Sequence, residues 1–389
     1  MRDFPSEPRR ALIVMKALYK QNFVAAFWSL IIVVFSSVVI SAQNQNVTTP
    51  RSVSPAAEVK QKIGLSSVVV NYSRPRVTLN GNDRSGQIWG NLVPYGFTVL
   101  QGGNGGENPW RAGANENTTI YFSDDVMIEG KPLPAGKYGL HMAVFEDGRV
   151  TVIFSKNHTS WGSFFYQPEE DALRVDVRSK EIPHTEVLTY DFVDMGSNYG
   201  VLALSWEKKQ IPIKIEVDLQ KTVLANFRKE LRGLPAFFWQ GFQTAAQWCL
   251  NNNTNHEEAL RWSEIAISRN RSYPTLATKG GLLFQTGKQA EGDKILDEAV
   301  ELANKNQLNA LGYQMMAQKR FDRAIEFLKL NIERFPDDPN GYDSLGEAYT
   351  QAGDRENAIK NLRKSLSMNP PPLVKANSEK LLKELGEKL

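Results

Sequence analysis

Cysteine and histidine are scarce. One cysteine and four histidines stand among 389 residues, which excludes an internal disulfide and a cysteine-based zinc site. No His-Glu-x-x-His, His-x-His or Gly-x-Ser-x-Gly occurs, so the familiar metalloprotease and serine-hydrolase signatures are missing. Charge of one sign is lacking too. Lys and Arg total 46 against 43 Asp and Glu, a net of +3, and so balanced a chain is no dedicated nucleic-acid binder. Gly102-Gly103-Asn104-Gly105-Gly106 is glycine-rich, but no Gly-Lys-Ser/Thr follows and no strand–loop–helix pattern surrounds it. It reads as a flexible surface loop between Pro94 and Pro109, and no NAD, FAD or other cofactor is expected.

Long hydrophobic runs are confined to the start. Arg2, Arg9, Arg10, Lys16 and Lys20 precede an apolar run from Phe23 to Ile40, closed by Ser41-Ala42-Gln43. That order is the order of a secretory signal peptide, residues 1–42, cleaved after Ala42. The run is also just long enough for an uncleaved membrane anchor. Met15-Lys16 would make a natural alternative start. Either way the bulk of the chain is expected to be exported, to a periplasm or cell surface, with the membrane touched through this segment alone. A lone cysteine suits an exported protein that does without disulfides.

After a Ser/Thr/Pro linker (43–55) the pattern of residues 56–218 has period two. Leu188, Tyr190 and Phe192 alternate with polar partners. Leu202, Leu204 and Trp206 alternate with Ala203 and Ser205, and Ile211, Ile213, Ile215 and Val217 with Pro212, Lys214 and Glu216. Pro212 suggests an edge strand. Short strands with Gly, Pro, Asn and Asp between them predict an all-β sandwich. Asp147-Gly148 predicts a two-residue type I′ hairpin, which would pair Glu146 with Arg149 and His141 with Phe154. His141 would then share a face with Phe145, Val150, Val152 and Phe154.

Residues 219–236 read as a linking helix, capped by Asp218 and ended by Gly233 and Pro235. Beyond it the chain repeats every ~34 residues. Leu345, Gly346, Tyr349, Ala358 and Pro370 return one period earlier as Leu311, Gly312, Met315, Ala324 and Pro336. Weaker units begin near Phe237 and around Gly280. The pattern resembles the tetratricopeptide repeat and predicts three to four helical pairs over 237–389. Small residues at 312, 324, 346 and 358 would let paired helices approach. Cys249 is expected as a small buried residue.

Two segments carry side chains that stability does not require: Trp110 to Thr119 and Ser155 to Tyr166. Arg111, Asn115, Glu116, His141, Lys156, Trp161 and Tyr166 are the candidates for a polar ligand such as a sugar, held by stacking and hydrogen bonds. A bland reading competes: an Arg111–Glu116 ion pair, Trp161 plugging a sandwich end, and His141 satisfied in the core.

The same segments belong to an ordered set of runs: Tyr72-Ser73-Arg74-Pro75, Ile88-Trp89-Gly90, Leu92-Val93-Pro94-Tyr95-Gly96 and Trp110-Arg111. Gly113-Ala114-Asn115-Glu116, Leu133 to His141, Phe154-Ser155-Lys156, Ser160 to Tyr166 and Glu170 to Val175 continue them. In these runs the chain resembles the DUF2911 family of bacterial envelope proteins, abundant in Bacteroidetes. The resemblance covers about residues 56–218. It implies a signal peptide and no particular reaction. Here Phe97 to Pro109 intervene where short members run almost directly into Trp-Arg, so this loop is expected to cover or extend a pocket near Arg111.

Three functions remain open. One is an envelope scaffold whose repeats engage a protein or peptide and whose β domain takes a polar small molecule or second partner. Another is a hydrolase-type enzyme using Glu116, His141 and Arg111 in one pocket. The third is a structural module without a small ligand.

Overall fold

The computed structural model describes residues 53–388. The expected leader or anchor and most of the linker lie outside the described residues. The chain first forms β1 (Ala56–Ile63) and β2 (Ser66–Ser73), then two short ribbons. These are β3 (Thr78–Leu79) with β4 (Asn82–Asp83), and β5 (Thr98–Val99) with β6 (Glu107–Asn108). There follow β7 (Thr119–Phe122), β8 (Val126–Ile128), β9 (Lys131–Leu133), β10 (Gly136–Val144), β11 (Arg149–Ser155) and β12 (Asp171–Arg178). Two long strands, β13 (Lys180–Met195) and β14 (Tyr199–Val217), close the domain.

An antiparallel six-stranded sheet, ordered β1-β2-β7-β10-β11-β12, packs on a four-stranded sheet, β13-β14-β8-β9. One core joins Val70, Phe122, Leu140, Met142, Val152 and Phe154 of the first to Leu188, Tyr190, Leu204, Trp206 and Ile213 of the second. The expected sandwich is therefore present, built from the alternations that the sequence displays.

The β10–β11 hairpin differs from its expected register. His141 faces Ile153, and Val144 faces Val150. The loop has three residues, Glu146 to Gly148: Phe145 N–H donates to Arg149 O, and Gly148 sits at φ +85°. A type I turn followed by a left-handed glycine makes this bulged loop, and the Asp147 carboxylate holds it by accepting from Arg149 N–H at 2.9 Å. One residue of slip moves every side chain to the other face. Leu140, Met142, Val144, Val150, Val152 and Phe154 thus face the core, and His141 lies on the outer face with Ala143, Thr151 and Ile153. Glu146 stays in the loop, and Arg149 stacks on the Phe145 ring at 4.0 Å instead of pairing with it.

Pro212 does not mark an edge strand, because β14 lies inside its sheet. The proline falls in a gap: β13 pairs no further than Gln210, and β8 pairing begins at Ile215. The missing N–H costs no ladder bond there. Around Glu207, at φ +53°, β14 also changes which parity faces the core, from Leu202, Leu204 and Trp206 to Ile211, Ile213 and Ile215.

Ten helices follow among the described residues. The linking helix α1 (Leu219–Glu230) is capped by Asp218, whose carboxylate accepts from Lys221 N–H. Four antiparallel pairs come next: α2 (Trp239–Asn251) with α3 (His256–Arg269), and α4 (Tyr273–Gln285) with α5 (Gln289–Glu301). Then come α6 (Lys305–Ala317) with α7 (Phe321–Arg334), and α8 (Pro339–Ala352) with α9 (Arg355–Ser367). A last helix, α10 (Pro372–Glu384), covers the end of the stack. The repeat residues do what their spacing implies. Leu311, Ala324, Leu345, Tyr349 and Ala358 are buried. A Cβ built on Gly346 would stand 2.6 Å from Leu362 Cγ, and one on Gly312 2.6 Å from Leu328 Cγ, so only glycine allows these pairs to close. Pro336 and Pro370 lie just beyond the ends of α7 and α9. His256 opens α3, its Nε2 within 3.1 Å of Asn253 Oδ1 and Gln285 Oε1.

Candidate functional site

Loops at one end of the sandwich enclose a cleft of about 700 Å³, the size of a small-molecule site. Its position follows from backbone pairing. Trp110 exchanges both main-chain hydrogen bonds with Met142 at 2.8 Å, which lays the Trp110–Asn115 segment beside β10. The Trp110 indole then stacks on Trp206 (centroids 6.2 Å, 18°) and donates to Gly113 O. Trp89 meets both rings edge-on. Trp206 is buried at the floor, and Trp161 stands at the rim, 55% exposed. Trp161 therefore plugs nothing.

Arg111 is half-buried in the wall. Its guanidinium donates to Asn115 O and lies 4.9 Å over the Phe164 ring. A Cβ on Gly162 would meet the guanidinium at 2.5 Å, so this glycine, at φ +57°, gives it room. Burial lowers the pKa of Arg111 from its usual value. Asn115, at φ +61°, ties the wall to the entering chain by donating to Ser54 O at 3.1 Å. The inserted loop contributes Thr98, Leu100 and Pro109 to the lining, as its position suggested. The glycine loop is anchored rather than loose: Asn104 N–H donates to Phe164 O and Asn104 Nδ2 to Tyr166 O.

Of the seven sequence candidates, Arg111, Asn115 and Trp161 share the cleft. His141 lies one layer behind it, buried, with Nδ1 2.8 Å from Ser163 Oγ. Burial chiefly, and then the Arg111 charge, hold its pKa at about 4. Tyr166 is buried beside it; its hydroxyl donates to Asp171 and accepts from Arg174, and burial pushes its pKa well up. Lys156 is exposed and holds Glu170 O through its backbone N–H. Glu116 is exposed and accepts from Ser73 Oγ at 3.3 Å. Glu116 and His141 thus do not join Arg111 in one pocket, and no Arg111–Glu116 ion pair forms among the described residues. Arg84, Phe164 and Trp206 line the cleft without having been singled out. Phe164 lay in a segment already marked; Arg84 gave no signal, since it reaches the cleft through the β3–β4 ribbon. Among the described residues no cluster of three metal-ligating side chains occurs.

A second concavity, about 490 Å³, lies on α2, α4 and α6. Gln247, Asn251, Gln285, Gln314 and Gln318 line it with Thr278 and Phe284. It carries hydrogen-bonding amides and no charged side chain.

Residues 54–215 match the family described as "Protein of unknown function (DUF2911)", and residues 339–372 match the tetratricopeptide repeat. A stretch of 141 residues, 34% of this chain, is 30% identical to cellulose synthase operon protein C of Escherichia coli strain K12. The putative protein of that name in Escherichia coli O157:H7 matches equally. The chain spans 12% of the length of these curated relatives. Solved structures similar to it include MamA from Desulfovibrio magneticus RS-1, at 18% identity, covering 38% of this chain and 92% of that one, TM-score 0.27. PilF of Pseudomonas aeruginosa is similar at 22% identity over 38% of this chain and 68% of that one, TM-score 0.28.

Proposed function

Since residues 54–215 form a DUF2911 domain and residues 339–372 a tetratricopeptide repeat, we propose that the chain is an exported binding and scaffold protein of the cell envelope. Its repeats hold a protein partner along their concave face, and its β domain takes a small ligand in the Trp110 cleft. The observation that carries this reading is the coexistence of two preformed concavities on separate cores, the cleft and the amide-lined groove. Stacked helical pairs offer such a face to extended or helical segments. Glutamine and asparagine side chains suit the main-chain amides of a peptide, which need donors and acceptors together.

The test is affinity capture of partners by the full chain and by an Ala277→Arg variant, which fills the groove wall with a charge. The variant is expected to lose its partners while a Trp161→Ala variant retains them. Partners indifferent to the groove variant would count against the repeat assignment. Export is checked by sequencing the mature N-terminus, where a start at Gln43 is expected.

A further inference from the structure

The cleft has a charge pattern that its shape alone does not explain. Its lining includes Arg76, Arg84 and Arg111 and no Asp, Glu, Lys or His side chain. Arg76 is offset by Glu186, 3.5 Å away. Arg84 donates to Val77 O and Arg76 O, and Arg111 to Asn115 O. Neither has a carboxylate partner among the described residues. A guanidinium carries five N–H donors, so donors remain on both after these carbonyl bonds are counted. Cations without a counter-ion beside apolar walls are poorly solvated, and an entering anion relieves that cost through charge-assisted, often bidentate bonds. The walls themselves are flat: Trp110, Trp161, Trp206 and Phe164 present rings.

We propose that the cleft binds a ring-bearing organic anion, its body against the tryptophans and its acidic group on Arg84 and Arg111. This rests on the cleft being a ligand site, as proposed above. Two sources share the chemistry: an acidic sugar, whose ring stacks on indole, and an aromatic acid.

Isothermal titration of the full chain with charge-matched pairs tests it: 2-naphthoate against 2-naphthamide, and trigalacturonate against its methyl ester. The acid of at least one pair is expected to bind about tenfold or more tightly than its neutral twin, the scale of one charge-assisted bond. Which pair responds tells the aromatic acid from the sugar. The preference should vanish in Arg84→Gln/Arg111→Gln and return in part in Arg84→Lys/Arg111→Lys. Should the glutamine variant fail to fold, a salt titration of the unaltered chain serves, because the preference must then shrink as salt rises. Equal affinity of acid and neutral twin, or a preference untouched by both the arginine changes and salt, overturns the anion assignment. If Trp161→Ala still weakens both twins in that case, the cleft stands as a ligand site and this inference alone fails. No binding by any of the four up to about 10 mM, a free energy near 3 kcal/mol, overturns both.

Discussion

His141 shows how one buried side chain organises the ground behind the cleft. Its Nδ1 meets Ser163 Oγ at 2.8 Å, and its ring lies 5.6 Å from Tyr166 edge-on, so it pins the Ser160–Tyr166 segment across the outer face of β10. With a pKa held at about 4, it is neutral at pH 7 in the folded chain. The unfolded chain takes up that proton near pH 6.5. Between those values the unfolded state binds more protons, so the contribution of His141 is constant above pH 6.5 and is lost as pH falls towards 4. Chemical denaturation of the unaltered chain and of His141→Gln should show it. The variant is expected to be destabilised by about 1–3 kcal/mol at pH 7 and to lose less stability on acidification to pH 4.5. An identical acid slope in both would remove His141 from the account. Cys249 offers a second measurement. It is fully buried among Phe242, Ala246 and Trp262, and burial pushes its thiol up to about 11. A thiol reagent should leave it unmodified in the native protein and react fully in denaturant.

At the scale of elements, the helical pairs close because glycine stands where a leucine crosses. Gly346→Ala places a methyl 2.6 Å from Leu362 Cγ. Overpacking of this kind costs about 1–3 kcal/mol, more than the helix propensity alanine gains. Circular dichroism melting should show a lowered Tm with helix content unchanged. The helices were legible in the sequence because a repeat states the same contact twice: Leu311-Gly312 and Leu345-Gly346 confirm each other. The β10–β11 register was not. Asp147-Gly148 fits both a two-residue and a three-residue loop, and the choice rests on Phe145 N–H finding Arg149 O. Gly148→Ala, at φ +85°, is expected to destabilise by about 1 kcal/mol or more, checked by the denaturation midpoint. Pro212 was misleading for a related reason, since a proline reports that an N–H is dispensable, and a gap between two ladders dispenses with it as well as an edge does.

Across the whole molecule, the two halves keep separate cores, and α1 belongs to the second. Phe227 packs edge-on against Trp248 and Trp262, and Arg228 bonds Glu258 at 2.7 Å. On the β side α1 sets Leu219 against Gly64 at the β1–β2 turn and forms the exposed Lys221–Asp125 pair, 2.9 Å, and exposed pairs contribute little. The linking helix is thus the first layer of the repeat stack. Scanning calorimetry should resolve two transitions. Phe227→Ala is expected to lower only the helical one, by an amount matching about 3 kcal/mol. A joint shift of both transitions would mean that the halves unfold as one unit.

The sequence by itself determined the β and helical halves, the repeat spacing, and the loops that hold Arg111, Asn115 and Trp161. Period and composition are local properties, and local patterns are what burial acts upon. The tertiary structure decided which candidates share a cavity. It sent His141 outward by one residue of slip and used Tyr166 to hold Asp171 and Arg174. It brought Arg84 and Trp206, 122 positions apart in the sequence, to the same cleft. Such convergence depends on register and on loop ends meeting across two sheets. Those are set by the closing of the core and are written in no single stretch of chain.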